Sequence, residues 1–233
     1  MKILIIIPAY NEEDSILSTV RELEAVCPAY DYLVVNDGST DSTEEILRKE
    51  KLQFISLPCN LGIGGAMQAG YLYAYRNDYE IAVQLDGDGQ HDPNYLEALI
   101  QPLKDGIADM VIGSRFVSRQ GFQTTALRRF GNRFIGHIIR LCCGTDVTDS
   151  TSGFRAVNRE VIRLFAGDYA HDYPEPESIV NASLHDFRVY DIPVAMRARS
   201  GGVSSINPIR SVYYMIKVSL SLIICRIRLW RNK

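Results

Sequence analysis

The sequence predicts an α/β fold built on a mostly parallel, doubly wound sheet, and two observations carry that prediction. Short apolar, β-branched runs alternate with segments of helical periodicity through the first two-thirds of the chain. That β-α-β-α order is what a parallel sheet with crossover helices requires. In addition, the segments just after the strand-like runs carry clustered carboxylates or an arginine. Ligands gather at the carboxyl ends of strands in such sheets, so these segments are where chemistry is expected.

The elements follow in order. Residues 3–7 are all isoleucine or leucine, as a parallel strand buried on both faces demands. Ile16, Val20, Leu23 and Val26 then recur at helical spacing behind Asp14, a candidate N-cap. Residues 32–35 form a second short strand. Ser42-x-x-Glu45 reads as a capping box opening a helix through Ile46 and Leu47. Strands at 54–57, 81–85 and 110–112 alternate with helices at 64–75 and 93–103.

Composition sets bounds on function. At 233 residues the chain is one ordinary domain, or one with a small appendage, with room for a full core. Hydrophobic residues make up 46% and charged residues 23%, which excludes disordered and fibrous classes. The five cysteines, 27, 59, 142, 143 and 225, show no C-x-x-C and no zinc spacing, and an odd count argues against a disulfide framework. The N-terminal apolar run is too short for a signal peptide, and no apolar stretch approaches the ~20 residues of a membrane span. A cytoplasmic protein is expected. Charge is unevenly placed: 17 basic against 28 acidic residues up to Asp191 give −11, whereas eight basic residues and no acid follow it. An acidic body disfavours a nucleic-acid partner, and a basic tail suggests contact with an anionic surface.

Asp86-Gly87-Asp88, at the end of the run 81–85, is the most informative motif. Mg²⁺ takes oxygen ligands, usually one or two protein carboxylates, and leaves its other positions to water and phosphate. Two aspartates one residue apart after a buried strand suit a cation gripping a diphosphate, and Gln90 adds an amide oxygen. An isolated D-x-D is usually a solvated turn, so context decides. Of the four segments after strands, 8–12, 36–41 and 86–92 carry clustered carboxylates and 113–115 carries Arg115. A dinucleotide enzyme, the competitor for this topology, needs G-x-G-x-x-G directly after a strand. Gly62-Ile63-Gly64-Gly65-Ala66-Met67 has Met67 in the third glycine position, and the turn after the first strand has no glycine. That alternative is disfavoured. For Gly62 to Gly65, phosphate positioning by backbone N–H groups and close helix–sheet packing both remain open.

Six motifs then match one family in the right order. They are Pro8-Ala9-Tyr10-Asn11-Glu12, Val35-Asn36-Asp37-Gly38-Ser39-Thr40-Asp41, Asp86-Gly87-Asp88-Gly89-Gln90-His91, Gly113-Ser114-Arg115, Thr151-Ser152-Gly153-Phe154-Arg155 and Arg199-Ser200-Gly201-Gly202-Val203-Ser204-Ser205. The chain resembles glycosyltransferase family 2 over residues 1–206, and within it the dolichol- or polyprenyl-phosphate sugar synthases. The resemblance implies a GT-A fold and inverting transfer from a UDP- or GDP-sugar. It implies that Pro8, Ala9, Tyr10 and Glu12 cradle the nucleoside, that Asp37 meets the base or ribose with Ser39 beside it, and that Gly87 lies against the donor. Asp86, Asp88 and Gln90 would hold Mg²⁺ or Mn²⁺, and Arg199 would sit on a loop over the phosphates. Arg115 and Arg129 would bind the acceptor phosphate, with Ser152 and Gly153 near it. Asp88, Arg115, Arg129, Asp149 and Arg155 form the expected catalytic set.

Several residues keep two readings. A phosphate acceptor needs cations rather than a base, and Arg129, Arg133 and Arg140 fall on one face of a helix whose apolar stripe includes Leu127, Phe130, Phe134 and Ile138. The alternative acceptor, a hydroxyl of a lipid-linked or cell-surface glycan, wants a carboxylate in reach, for which Asp149, Glu175 and Glu177 are candidates. Asp149 alternatively orients Arg155 or the acceptor, and Pro174-Glu175-Pro176-Glu177 reads more readily as a proline-stiffened acidic loop. His91 is expected to orient the metal motif. Residues 207–233 repeat apolar residues at three- and four-residue intervals with basic residues between them, which reads as one or two amphipathic helices on the cytoplasmic membrane face or packed on the body or a second subunit. Ser205, where such synthases often place lysine, departs from the pattern. A homo-oligomer, a separate membrane partner and a non-catalytic nucleotide-sugar binder remain alternatives.

Overall fold

A computed structural model describes residues 1–117, 126–197 and 208–230. Seven strands form one sheet: β1 (Ile3–Ala9), β2 (Asp31–Asn36), β3 (Phe54–Ser56), β4 (Ile81–Gln84), β5 (Met110–Ser114), β6 (Arg155–Asn158) and β7 (Val189–Pro193). Their order is β3-β2-β1-β4-β6-β5-β7. All are parallel except β6, which lies antiparallel between β4 and β5. Every residue of β1, β4 and β5 is buried, the reason these segments read as unbroken apolar runs.

Helices cover both faces. On one, α1 (Ile16–Val26), α2 (Thr43–Lys49) and α4 (Leu96–Lys104) pack with Ile5, Ile7, Val34, Val83 and Val111. On the other, α3 (Gly62–Arg76) and α6 (Arg159–Gly167) pack with Leu4, Ile6 and Ala82. Beyond them lie α5 (Ala126–Cys143), α7 (Pro174–Leu184) and α8 (Pro208–Trp230).

The antiparallel β6 is the part of the sheet that positions the site. Arg155 pairs with Gln84 on one side and Ile112 on the other. The amino end of β6 therefore stands level with the carboxyl ends of β4 and β5. The preceding segment, 149–154, is carried across the top of the sheet between Asp86 and Arg115.

Some local expectations are corrected. The cap residue of α1 is Ser15, not Asp14; its hydroxyl donates to Glu12 Oε2 at 2.7 Å. Ser42 precedes α2 but forms no capping box. Asp41 Oδ1 instead accepts from the Thr43 amide, and Glu13 accepts from the Ser42 amide. Residues 174–177 are the first turn of α7 rather than a loop, with Pro174 at a first-turn position where its missing N–H has no helical partner to lose. β6 and β7, too short and too interrupted to announce themselves, were not anticipated. The C-terminal segment forms the single helix α8, whose Val218, Leu222 and Cys225 are buried against the body.

Candidate active site

At the carboxyl ends of β1, β2 and β4 lies a cleft of ≈ 220 Å³ lined by Pro8, Ala9, Tyr10, Glu12, Asp37, Ile63, Ala66, Asp86, Gly87, Asp88 and Glu175. The loops after β1 and β2 are laced together. Asn11 donates its amide to Ser39 Oγ and accepts from the Thr40 amide, while the Glu12 amide donates to Thr43 Oγ1. Ser39 thus holds the loop that carries Tyr10 and does not line the cleft itself. Asp37, 3% exposed, accepts from the Leu61 amide at 2.7 Å and so ties its loop to the start of α3. Burial raises the Asp37 carboxyl above the usual range, against the opposing pull of the Leu61 and Gly62 amides.

The two readings of Gly62 to Gly65 separate here. A Cβ at Gly64 would stand 2.2 Å from the Ala170 carbonyl oxygen, so glycine is needed there for the α6–α7 connection to press against α3. Ile63 and Ala66 face the cleft. Close packing accounts for Gly64, against the α6–α7 connection rather than against the sheet.

Asp86 is held from several sides. The side-chain amide of Gln84 donates to its Oδ1 at 3.2 Å. The Asp86 amide donates to His91 Nδ1 at 3.0 Å, and His91 Nε2 lies 3.5 Å from Asp86 Oδ2. The buried imidazole stacks on Phe154, centroids 4.8 Å apart. Gly153 passes so close that a Cβ there would stand 3.0 Å from both Asp86 oxygens. Gly153 therefore belongs to the Asp86 side of the cleft, and any side chain there would displace the carboxylate. Asp88 accepts from the Gln90 amide at 3.0 Å, and the Gln90 side chain donates to the Arg197 carbonyl oxygen at 3.4 Å.

Among the described residues no group of three or more His, Cys, Asp or Glu is arranged to hold a metal ion. Asp86 and Asp88, one residue apart and both on the cleft, supply two carboxylates. That donor set fits Mg²⁺ or Mn²⁺ completed by phosphate oxygens rather than an all-protein cage.

Beside the cleft, Arg115 and Asp149 form a two-point pair: Nε to Oδ2 at 2.6 Å and Nη2 to Oδ1 at 2.7 Å. Thr151 Oγ1 accepts a further bond from Nη2 at 2.9 Å. Burial works against the Arg115 charge, but the hydrogen bonds and charge of Asp149 outweigh it and raise its proton affinity; Asp86 adds to this. Asp149 is fully buried and both its oxygens face Arg115. It orients Arg115, and neither Arg155 nor a proton-abstracting role claims it.

Two further expectations change. Arg155, at 0% exposure, donates to the carbonyl oxygens of Ser152 and Glu175 and to Ser178 Oγ. It clamps the 149–154 segment to the first turn of α7 and cannot meet reacting atoms. Ser152 is also buried, its hydroxyl donating to the Gly113 carbonyl oxygen at 2.6 Å, so it is not presented to an acceptor. Glu175 moves the other way. The first turn of α7 places it on the cleft wall with Asp86 and Asp88, and burial raises its carboxyl above the usual range, with Arg155 opposing and Asp86 reinforcing the shift. Glu177 points to α8, where it accepts from Ser221.

A second hollow, ≈ 730 Å³, runs along α5 and is lined by Phe116, Arg129, Asn132, Arg133, Gly136, His137, Arg140, Asp146, Val147 and Thr148. Phe116, the residue after Arg115, is part of that lining. Arg140 lies 3.4 Å from Asp146. Asn132, which sequence reading passed over, fastens this helix to the site: Nδ2 donates to the Thr148 carbonyl oxygen, and Oδ1 accepts from the Ser150 amide and hydroxyl. Its signal was legible, since Asn132 shares a helical face with the buried Ile135 and Ile139 and a buried amide needs partners. Arg199 and Ser205 lie outside the described residues.

With this geometry in view, comparison with known proteins is informative. Residues 4–165 match the model of glycosyl transferase family 2. The chain is similar to the polyprenol monophosphomannose synthase of Mycolicibacterium smegmatis, 30% identical over 226 residues that cover 93% of this chain and 85% of that protein. It is also similar to the UDP-N-acetylglucosamine–dolichyl-phosphate N-acetylglucosaminyltransferase of Methanococcus voltae, 31% identical over 213 residues covering 82% and 84%. Glucosyl-3-phosphoglycerate synthase from Mycobacterium tuberculosis, solved with Mn²⁺, UDP-glucose and phosphoglyceric acid, shares the fold with a TM-score of 0.74 at 21% identity, over 97% of this chain and 79% of that one. The matched span runs through β1 to β6 and takes in every residue that lines the cleft except Glu175, and on that ground the protein belongs to glycosyltransferase family 2, as a glycosyltransferase of GT-A fold.

Proposed function

We propose that the protein moves one sugar, with inversion, from a UDP- or GDP-sugar to polyprenyl phosphate at the cytoplasmic face of the membrane. The observation that carries this reading is the Arg115–Asp149 pair. It holds the Arg115 guanidinium in a fixed geometry, within electrostatic reach of Asp86 on the cleft and next in sequence to Phe116 of the α5 groove, and it occupies both oxygens of the Asp149 carboxylate. An acceptor that is already an anion needs such a cation for alignment and needs no base. Arginine's planar fork suits phosphate oxygens, and Arg129 and Arg133 extend the positive lining along the groove. The names of the relatives, which act on polyprenol and dolichyl phosphates, support the same acceptor.

On the donor side, Tyr10, Glu12 and Asp37 line the nucleoside end of the cleft and Asp86 and Asp88 the diphosphate end. Mg²⁺ or Mn²⁺ held there would offset the charge that develops as the nucleoside diphosphate leaves. Gln84, His91 and Gly153 keep the Asp86 carboxylate in place for that role. Purified protein incubated with Mn²⁺, polyprenyl phosphate and a panel of UDP- and GDP-sugars should form a glycolipid that mild acid cleaves. Absence of transfer from every donor, or an acid-stable product, would overturn the reading.

A second reading is favoured by the place of Glu175. A buried carboxyl with raised proton affinity on the cleft wall suits proton abstraction from a hydroxyl acceptor. Glu175→Gln separates the two. With a phosphate acceptor, kcat is expected to fall by less than about tenfold, whereas loss of a general base costs roughly 10²- to 10⁴-fold and removes the acid limb of the pH–rate profile.

A further inference from the structure

The face of α8 turned away from the body is apolar. Val218, Leu222 and Cys225 are buried against α5 and α7, yet Ile216, Ile223 and Ile227 are 56%, 43% and 51% exposed. A helix packed on a globular body ordinarily shows water a polar face. The adjoining part of α5 behaves in the same way, with Phe130, Phe134 and Leu141 exposed. The two helices are direct neighbours, since a Cβ at Gly131 would stand 3.7 Å from the Met215 sulfur. Their outward sides merge into one patch, and exposed apolar patches of this kind mark interaction surfaces.

The rim of the patch identifies the partner. Lys217 and Arg226 flank it on α8, Arg129 and Arg133 flank it on α5, and no acidic residue follows Asp191. A second copy docked face to face about a two-fold axis would set basic rim against basic rim, which is unfavourable. An anionic bilayer offers acyl chains for the centre and negative headgroups for the edge. No helix among the described residues is long and apolar enough to cross a membrane, so the contact is with one surface.

We propose that α5 and α8 together form a membrane-docking face that lies flat in the headgroup region of an anionic bilayer. α5 serves two partners from adjacent sides: its aromatic and leucine side enters the lipid, and its arginine side lines the groove. Docking therefore brings the groove to the level of the lipid headgroups. That last step rests on the polyprenyl phosphate reading; the docking itself does not.

Vesicle flotation tests it on the full chain, with vesicles of phosphatidylcholine alone and of phosphatidylcholine mixed with phosphatidylglycerol. The protein is expected to float with the anionic vesicles, and less so with the neutral ones or at high salt. Each isoleucine removed from the contact corresponds to roughly a tenfold loss of partition. Ile216→Ser, Ile223→Ser and Ile227→Ser combined should therefore lower it at least about a hundredfold, with secondary structure intact because these side chains touch water. Lys217→Glu with Arg226→Glu should abolish the preference for anionic vesicles. Wild-type protein that stays unbound, a triple variant that floats unchanged, or a concentration-dependent dimer that the triple variant dissociates would each overturn the proposal. Donor binding measured calorimetrically on the same samples keeps the two proposals apart. Flotation without any nucleotide-sugar binding would refute the glycosyl-transfer reading alone, and donor binding without flotation would refute docking alone.

Discussion

Asp88→Asn is expected to leave a folded protein that has lost metal-assisted donor binding. The asparagine side-chain oxygen can still accept from the Gln90 amide, the bond Asp88 makes at 3.0 Å, so stability should stay within about 0.5 kcal/mol. What disappears is one of the two negative charges that, on the proposed reading, face a cation and a diphosphate. Removing an element of preorganised charge stabilisation lowers kcat by about 10²- to 10³-fold, and if Asp88 holds the cation as proposed, this variant falls at the upper end or beyond. Titration of UDP- and GDP-sugars with and without Mn²⁺ supplies the check independent of turnover: wild-type affinity should rise with metal, and the variant's should not. Metal-assisted affinity and turnover that survive Asp88→Asn would remove the basis of the cation reading and, with it, the assignment of Asp86.

The second large effect is expected at Asp149. Its carboxylate is fully buried and is joined at two points to Arg115, whose side chain is 20% exposed. Removing one partner of a buried pair leaves the other charge uncompensated, which costs on the order of 3 kcal/mol or more. For a chain of this length Asp149→Ala should lower Tm by roughly 6–12 °C. Acceptor turnover should collapse as well, because the freed guanidinium is no longer held in its fixed orientation, while donor binding persists. Stability and function can then be separated. Asp149→Leu combined with Arg115→Met replaces the pair by apolar groups of similar size, a change that is often neutral. The double variant should regain much of the lost Tm without regaining transfer. Recovery of transfer in the double variant would show that Arg115 is structural only, and the phosphate-acceptor reading would lose its principal support.

The distribution of polar groups around the cleft follows a physical pattern that bears on both predictions. Carboxylates that face the site directly, Asp86, Asp88 and Glu175, lie on loops or at a helix start, where backbone direction is free to aim them. The groups that hold them, Gln84 and Arg155, are on strands within the sheet, where the ladder fixes them. Functional residues on loops and a helix start, supported from a rigid layer, are held with precision.

Much of the fold was legible because strand burial on both faces leaves an unmistakable run of Ile, Leu and Val, as in β1, and because helix periodicity is a strong local signal. The motif after β4 was legible for the same reason: a charged pair directly after an apolar strand is local information. β6 was not, since its four residues, Arg155 to Asn158, begin with an arginine that looks catalytic in one dimension. α7 was misread because two prolines and two glutamates in four residues resemble a loop, although proline is well tolerated in a helix's first turn.

The sequence by itself determined the order of elements from β1 to β5, the mostly parallel character of the sheet, the carboxylate pair after β4 and the family to which the chain belongs. All of these are written in residue type and short-range spacing. Only the tertiary structure decided which of the candidate acids and cations meet. It paired Asp149 with Arg115, withdrew Arg155 and Ser152 into the interior, brought Glu175 to the cleft wall, and set the exposed apolar sides of α5 and α8 next to each other. Those outcomes depend on contacts between residues far apart in the chain, as across the antiparallel β6, and on the desolvation of each charge. Neither quantity is a function of local spacing.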